Sequence, residues 1–376
     1  MSALFGWIRK IKQEWAIPVI VPDRCVHSHC EVGSCTRCVD SCPQQAWILD
    51  DDSLHINTEQ CDGCGLCVAA CPESALEQTL LPLRRIRSSN KALLFACERL
   101  PDKMDGEGVI PCLHTISYRQ LLQEYRAGYQ QVIVSCGDCG DCPRSVGQET
   151  LPTRIDNLNT LLASRGAAPP LAYQVVTGAQ WQHYRRYLKY PTPNTAMTAD
   201  SRRQFLRQAL TLSMETGLGS NPTTEVITAW SALLPPPCPD VTPLYPFVPL
   251  IDVQACNGCD ACAVLCPQHS IGLVYSDNKR VSAYQLHPDG CTGCNVCVDS
   301  CDQQAIHINH LQSATQTTVK LTQAVCKACG NAFHYPTAEP PKVASESESG
   351  SAPPPTRPYC RICAHTQQHR QLFQVY

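Results

Sequence analysis

Cysteine carries the chemistry of this chain: 27 of its 376 residues, set in short regular runs. Residues 61–72 read CDGCGLCVAACP, a C-x2-C-x2-C-x3-C-P pattern, and residues 256–267, CNGCDACAVLCP, repeat it. Residues 291–301, CTGCNVCVDSC, keep the spacing, with Asp302 where the proline stands elsewhere. Thiolates at three-residue steps wrap a tight loop around one centre, which suits a metal better than a set of disulfides. The odd total also means that pairwise oxidation cannot use every thiol. Gly63, Gly65, Gly258 and Gly293 allow the close turn. Loop N–H groups can then stabilise sulfur charge, and the fourth cysteine reaches a neighbouring centre. This is the layout of cuboidal iron–sulfur clusters, whose chemistry is single-electron transfer.

An internal repeat positions the runs. Four segments share a short apolar strand, a cysteine run, a one-turn helix and a second short strand. An aliphatic residue stands five positions before the first cysteine: Ile20 before Cys25, Ile56 before Cys61, Ile251 before Cys256 and Leu286 before Cys291. The segments form two pairs, at 19–82 and 248–310. Each pair resembles the bacterial two-[4Fe–4S] ferredoxin family. The resemblance implies an α+β chain with two (βαβ)2 modules and four [4Fe–4S] clusters. It further implies that Cys61, Cys64 and Cys67 share a cluster with Cys42, Cys256, Cys259 and Cys262 one with Cys301, and Cys291, Cys294 and Cys297 one with Cys266.

The first run, CVHSHCEVGSCTRCVDSCP, departs from the family pattern. Strand register favours Cys25 as its leading ligand, because Ile20 matches the aliphatic mark of the other repeats. Proximity favours Cys30, which has only four residues between it and Cys35. Similar ferredoxins with a lengthened first loop keep the ligand at the strand end. The reading taken is therefore Cys25 with Cys35, Cys38 and Cys71, Cys30 being the alternative.

Between the pairs, residues 90–180 read differently. LLFAC (93–97), QVIVSC (131–136) and LAYQVV (171–176) predict strands, and 115–127 and 153–165 predict helices, so the modules flank a small α/β domain with a parallel sheet. Cys136, Cys139 and Cys142 fall at the end of one strand, Cys97 closes another and Cys112 follows a turn. Strand ends are where α/β sheets place ligands. The run from FACER to SCGDCGDC resembles the delta subunit of methyl-viologen-reducing hydrogenases, though its last cysteine spacing differs. That resemblance implies a fifth cluster, [2Fe–2S] or [4Fe–4S], and a place between a hydrogenase and heterodisulfide reductase. Zinc, or a site reduced to buried thiols, are the other readings.

At the C-terminus, 311–376, the pairs Cys326/Cys329 and Cys360/Cys363 have zinc-ribbon spacing, and a mononuclear iron would use the same four thiolates. The Pro/Ser/Glu-rich insert between them is expected to be disordered. Residues 1–18 predict an amphipathic helix with Leu4, Ile8, Ile11 and Trp15 on one stripe, which packs on its own module or docks to a subunit or a membrane surface. Residues 181–247 read as a proline-interrupted linker with a helix near 201–214 and Cys238 as a spectator. The twin-arginine-like string there is too far from the start to act as an export signal.

A formal net charge of −3 argues against nucleic acid as a partner. No apolar run reaches the length of a membrane span. The thiols point to a reducing compartment, hence a cytoplasmic protein, with a place on the inner face of a membrane left open by the N-terminal helix. No dinucleotide fingerprint, phosphate loop or nucleophile constellation is present, so no catalytic residue is assigned. The expected role is a metal-binding electron-transport subunit that relays single electrons between redox partners in a larger oxidoreductase. Two alternatives stand beside it: an oxidoreductase whose active site is a middle-domain cluster, and a redox-sensing or assembly factor.

Overall fold

The computed structural model describes residues 17–50, 53–100, 106–145, 147–191, 230–239, 241–337 and 357–370. The N-terminal helix predicted before residue 17, the helix near 201–214 and the insert at 340–355 lie outside these residues.

The first module runs β1 (Val19–Ile20), α1 (Val26–His29), α2 (Arg37–Asp40), β2 (Trp47–Asp50), β3 (Ser53–Ile56), α3 (Leu66–Ala70) and β4 (Leu76–Glu77). First and last strands pair antiparallel, as do the two inner ones. Helices of one turn and strands of two to four residues are far below the length at which such elements stand alone. Their shared core is correspondingly small: Trp47, Leu54, Leu76 and Cys67 are its buried members, and most of the cysteines pack around them. A module this size needs something besides apolar burial to hold it.

The middle unit comprises β5 (Leu83–Arg87), β6 (Asn90–Cys97), β7 (Val109–Ile110), α4 (Tyr118–Arg126), β8 (Tyr129–Ser135), α5 (Leu151–Ala163), β9 (Ala172–Val175) and α6 (Gly178–Tyr187). Strands β6, β8 and β9 are parallel neighbours, and β5 closes one side antiparallel. The unbroken apolar run of β6 follows from burial on both faces. Leu93 and Phe95 face α4 and α5, whereas Ala92, Leu94 and Ala96 face Trp181 of α6. Helix starts are written in the sequence: Ser117 with Gln120, and Thr177 with Gln180, form reciprocal capping boxes.

This unit is larger than its expected span of 90–180. It begins with Leu83, and Lys189 bridges back to Ile86. Trp230, Leu233 and Leu234, inside the expected linker, are buried in its core. The prolines around that short apolar group concealed it.

The second module repeats the first, with β10 (Leu244–Ile251), α7 (Ala261–Val264), β11 (Ile271–Tyr275), β12 (Val281–Leu286), α8 (Val296–Asp299) and β13 (Ile306–Ser313). Strand β10 pairs with β13, and β11 with β12. The C-terminal unit, β14 (Thr318–Val325), β15 (Ala332–Pro336) and α9 (Arg361–Arg370), is not free-standing, because β14 pairs with β12 and continues the sheet of the module.

The modules flank the middle unit in sequence but touch in space. Ser34 N donates to Asp299 Oδ2 at 2.8 Å, and the Arg37 guanidinium donates to the Gly293 carbonyl at 2.7 Å. All three units meet around a cavity of about 580 Å³ whose lining includes Cys71, Thr292, Tyr118, Trp230 and Phe247. Among the described residues no helix is long and apolar enough to cross a membrane.

Candidate metal centres

Cysteines from distant parts of the chain converge in fours. Cys42, Cys61, Cys64 and Cys67 line one cavity, Cys25, Cys35, Cys38 and Cys71 a second, and Cys266, Cys291, Cys294 and Cys297 a third. Cys256, Cys259, Cys262 and Cys301 form a fourth group: burial first, then the other three sulfurs, push the Cys262 thiol up to about 12. Cys30 is not among the residues that line the second cavity. It is buried against Val26 and Val296 of the other module, beside Cys35 and Cys294.

One local device recurs at the fourth cysteine of every run. The sulfurs of Cys42, Cys71, Cys266 and Cys301 accept a backbone N–H from Ala46, Ala75, Ser270 and Ala305, at 3.2 to 3.3 Å. The chain reaches that geometry through a left-handed residue at Gln45, Ser74, His269 and Gln304. These N–H groups stabilise negative charge on sulfur. Without metal the thiols resist ionisation: burial pushes Cys38, Cys64 and Cys291 up to about 12 and Cys294 to about 11. Four inward sulfurs, an N–H aimed at one of them and buried thiols that need a cationic partner to ionise together fit an iron–sulfur core.

The middle cysteines also converge. Cys97, Cys112, Cys136, Cys139 and Cys142 line a single cavity at the C-terminal ends of the parallel strands β6 and β8. Cys139 is exposed, and Cys112 is buried and pushed up to about 11. Beside them lies Arg144, almost fully buried. Its Nε donates to Asp62 at 2.8 Å, and Nη1 donates to Glu98 at 2.8 Å and to the Pro111 carbonyl. Each partner adjoins a cysteine: Cys61, Cys97 and Cys112. Cys64 and Cys112 pack together with Leu66, so this site abuts the first module.

At the C-terminus the sulfurs of Cys326, Cys329, Cys360 and Cys363 all lie within 4.8 Å of one another. Cys329 and Cys360 are 3.9 Å apart, close to the sulfur separation around one tetrahedral thiolate-bound ion. Backbone N–H bonding, chiefly from Cys360, lowers the Cys326 thiol to about 6. The unit seats on the second module through His334 Nε2 and Asp260 Oδ1 at 2.9 Å, and through Arg361, which donates to the Cys259 carbonyl at 3.1 Å. Gly258 has φ +75°, and a Cβ there would overlap the His334 carbonyl. Gly258→Ala is expected to cost about 2 kcal/mol or more, read as a lower denaturation midpoint. An unchanged midpoint would mean that this contact opens freely.

Two residues that sequence reasoning passed over belong to these sites. Arg144 left no signal beyond following Cys142. Glu73 did leave one, since the position two after the fourth cysteine is Gln44, Glu73, Gln268 and Gln303 in the four repeats.

Two family models, each described as a 4Fe-4S dicluster domain, match the chain, one at residues 29–76 and the other at residues 255–305. A ferredoxin of Rickettsia felis is 38% identical over 89 residues, 24% of this chain and 68% of that protein. The chain belongs to the two-[4Fe–4S] ferredoxin family. It carries the dicluster module twice. It is also similar to hydrogenase-4 component A of Escherichia coli K12, at 29% identity over 115 residues, 31% of this chain and 49% of that protein. One component of an ion-translocating oxidoreductase complex from Methanosarcina acetivorans is 41% identical over 54 residues, 14% of this chain and 20% of that protein. This ferredoxin thus spans about half or less of the length of those two relatives.

Proposed function

We propose that this ferredoxin is an electron-relay subunit of a multi-subunit oxidoreductase, holding four [4Fe–4S] clusters. The ligand sets are Cys25, Cys35, Cys38 and Cys71; Cys42, Cys61, Cys64 and Cys67; Cys256, Cys259, Cys262 and Cys301; and Cys266, Cys291, Cys294 and Cys297. The convergence of sixteen cysteines into fours, each with the same N–H to sulfur bond at its fourth member, carries the reading. When bound, such clusters take up and release one electron at a time. The chain's own work is to ligate, to direct N–H groups at sulfur and to exclude water. A hydrogenase component and a member of an ion-translocating complex among its relatives support a partner of that class.

The middle cysteines hold a further cluster and the C-terminal four hold zinc. One observation favours a second reading, of a site that meets a substrate itself: five thiols stand where four ligands suffice, and Cys139 is exposed. Turnover of a disulfide by the isolated chain would select it.

Anaerobically purified protein is expected to contain about 16 iron atoms from the modules, with matching labile sulfide. Colourless material without labile sulfide would overturn the proposal, and about half the iron would remove one module.

A further inference from the structure

The contact between modules is built around one buried carboxylate. Glu73 follows Cys71 by two residues and is nearly inaccessible. Its Oε1 accepts from Thr292 Oγ1, and its Oε2 accepts from Gln268 Nε2 at 2.6 Å. Two oxygens that both accept are the pattern of an ionised carboxylate. Thr292 lies inside the Cys291-x2-Cys294 loop, and Gln268 follows Cys266 by two residues, so both partners belong to the cysteine group of the second module that faces Cys71. Glu73 also lines the cavity of Cys25, Cys35, Cys38 and Cys71. One side chain is therefore in contact with two four-cysteine groups from different modules.

The repeat shows that this carboxylate is not demanded by the fold. The equivalent positions are Gln44, Gln268 and Gln303, of nearly the same shape and without charge. Of the two copies that meet at the junction, Glu73 and Gln268, only the buried one is acidic. A negative charge there works against added electron density on either side.

We infer that Glu73 sets the reduction potential of the two centres facing each other across the module junction, holding both below the potentials they would have with glutamine. The inference rests on the proposed function, since it presupposes clusters in those groups. Glu73 acts through its field and its bonds to the loops, not as a ligand, so it is a positioning residue.

The test is an anaerobic redox titration of the full chain followed by low-temperature EPR, beside iron and labile-sulfide analysis. Glu73→Gln keeps shape and hydrogen bonding and removes the charge. It is expected to retain full iron and to raise the reduced-to-oxidised ratio of two centres at fixed poise by about tenfold, or about 59 mV for one electron. The swap Glu73→Gln with Gln268→Glu returns the charge to the junction and is expected to restore the original titration. If Glu73→Gln loses iron, Gln268→Met serves instead, because removing the Nε2 donor leaves the charge less compensated and shifts the same centres down. Titrations that match the original protein in Glu73→Gln, or in Gln268→Met where the former cannot be read, overturn the inference. Absence of iron and sulfide from the unsubstituted chain would instead overturn the proposed function.

Discussion

Arg144→Met is expected to destabilise the chain by about 2–4 kcal/mol and to release whatever metal the five middle cysteines bind. The guanidinium joins a residue beside Cys61 to residues beside Cys97 and Cys112. Truncation at a buried ion pair typically costs about 3–5 kcal/mol, because the partner is left charged and dry. Here the range is discounted, since the side chains of Asp62 and Glu98 are 25% and 45% exposed and regain water when the arginine is gone. The measurement is denaturant unfolding together with metal analysis. Arg144→Lys is expected to fall between, because an ammonium cannot fork to several acceptors. Unfolding at the original denaturant concentration, with the middle site still loaded, would show that Arg144 braces nothing.

Cys326→Ser has the second large effect. With one of four sulfurs gone, the C-terminal site is expected to lose its ion, one metal atom per chain. Structural zinc in small ribbons contributes about 10–16 kcal/mol of apparent binding energy, so loss of an ion from the four sulfurs is expected to open the two cysteine loops while β14 stays paired with β12. Backbone N–H groups favour the Cys326 thiolate. Metal content by mass spectrometry and proteolysis at 318–337 provide the readout. Retention of zinc in the variant would remove the four-thiolate site. The unit is not expected to behave as a separate domain, because β14 draws its hydrogen bonds from β12.

The parts of this molecule legible in the sequence are those with a short, local cause. Cysteine spacing announces ligand loops because a cluster corner dictates the step between thiols. The run LLFA announces a strand covered on both faces, and Ser117 three residues before Gln120 announces a helix start. What stayed illegible depends on distant residues. Cys25 and Cys30 could not be separated by spacing, since what sets Cys30 apart is Val296 of the other module. Trp230 sits among prolines and gives no hint that it enters the core of the middle unit. The contact of the two modules is equally silent: nothing near Ser34 or Arg37 announces Asp299 or Gly293.

The bond between Glu73 and Thr292 joins residues 219 positions apart. At ribosomal speeds of ~5–20 residues per second, that separation is roughly 10–40 s of synthesis. For that interval the Cys71 side of the first module lacks the cover of the second module, and the middle unit alone reaches it, through Arg119 donating to the Pro72 carbonyl. The junction hidden in the finished protein is therefore completed only late in synthesis.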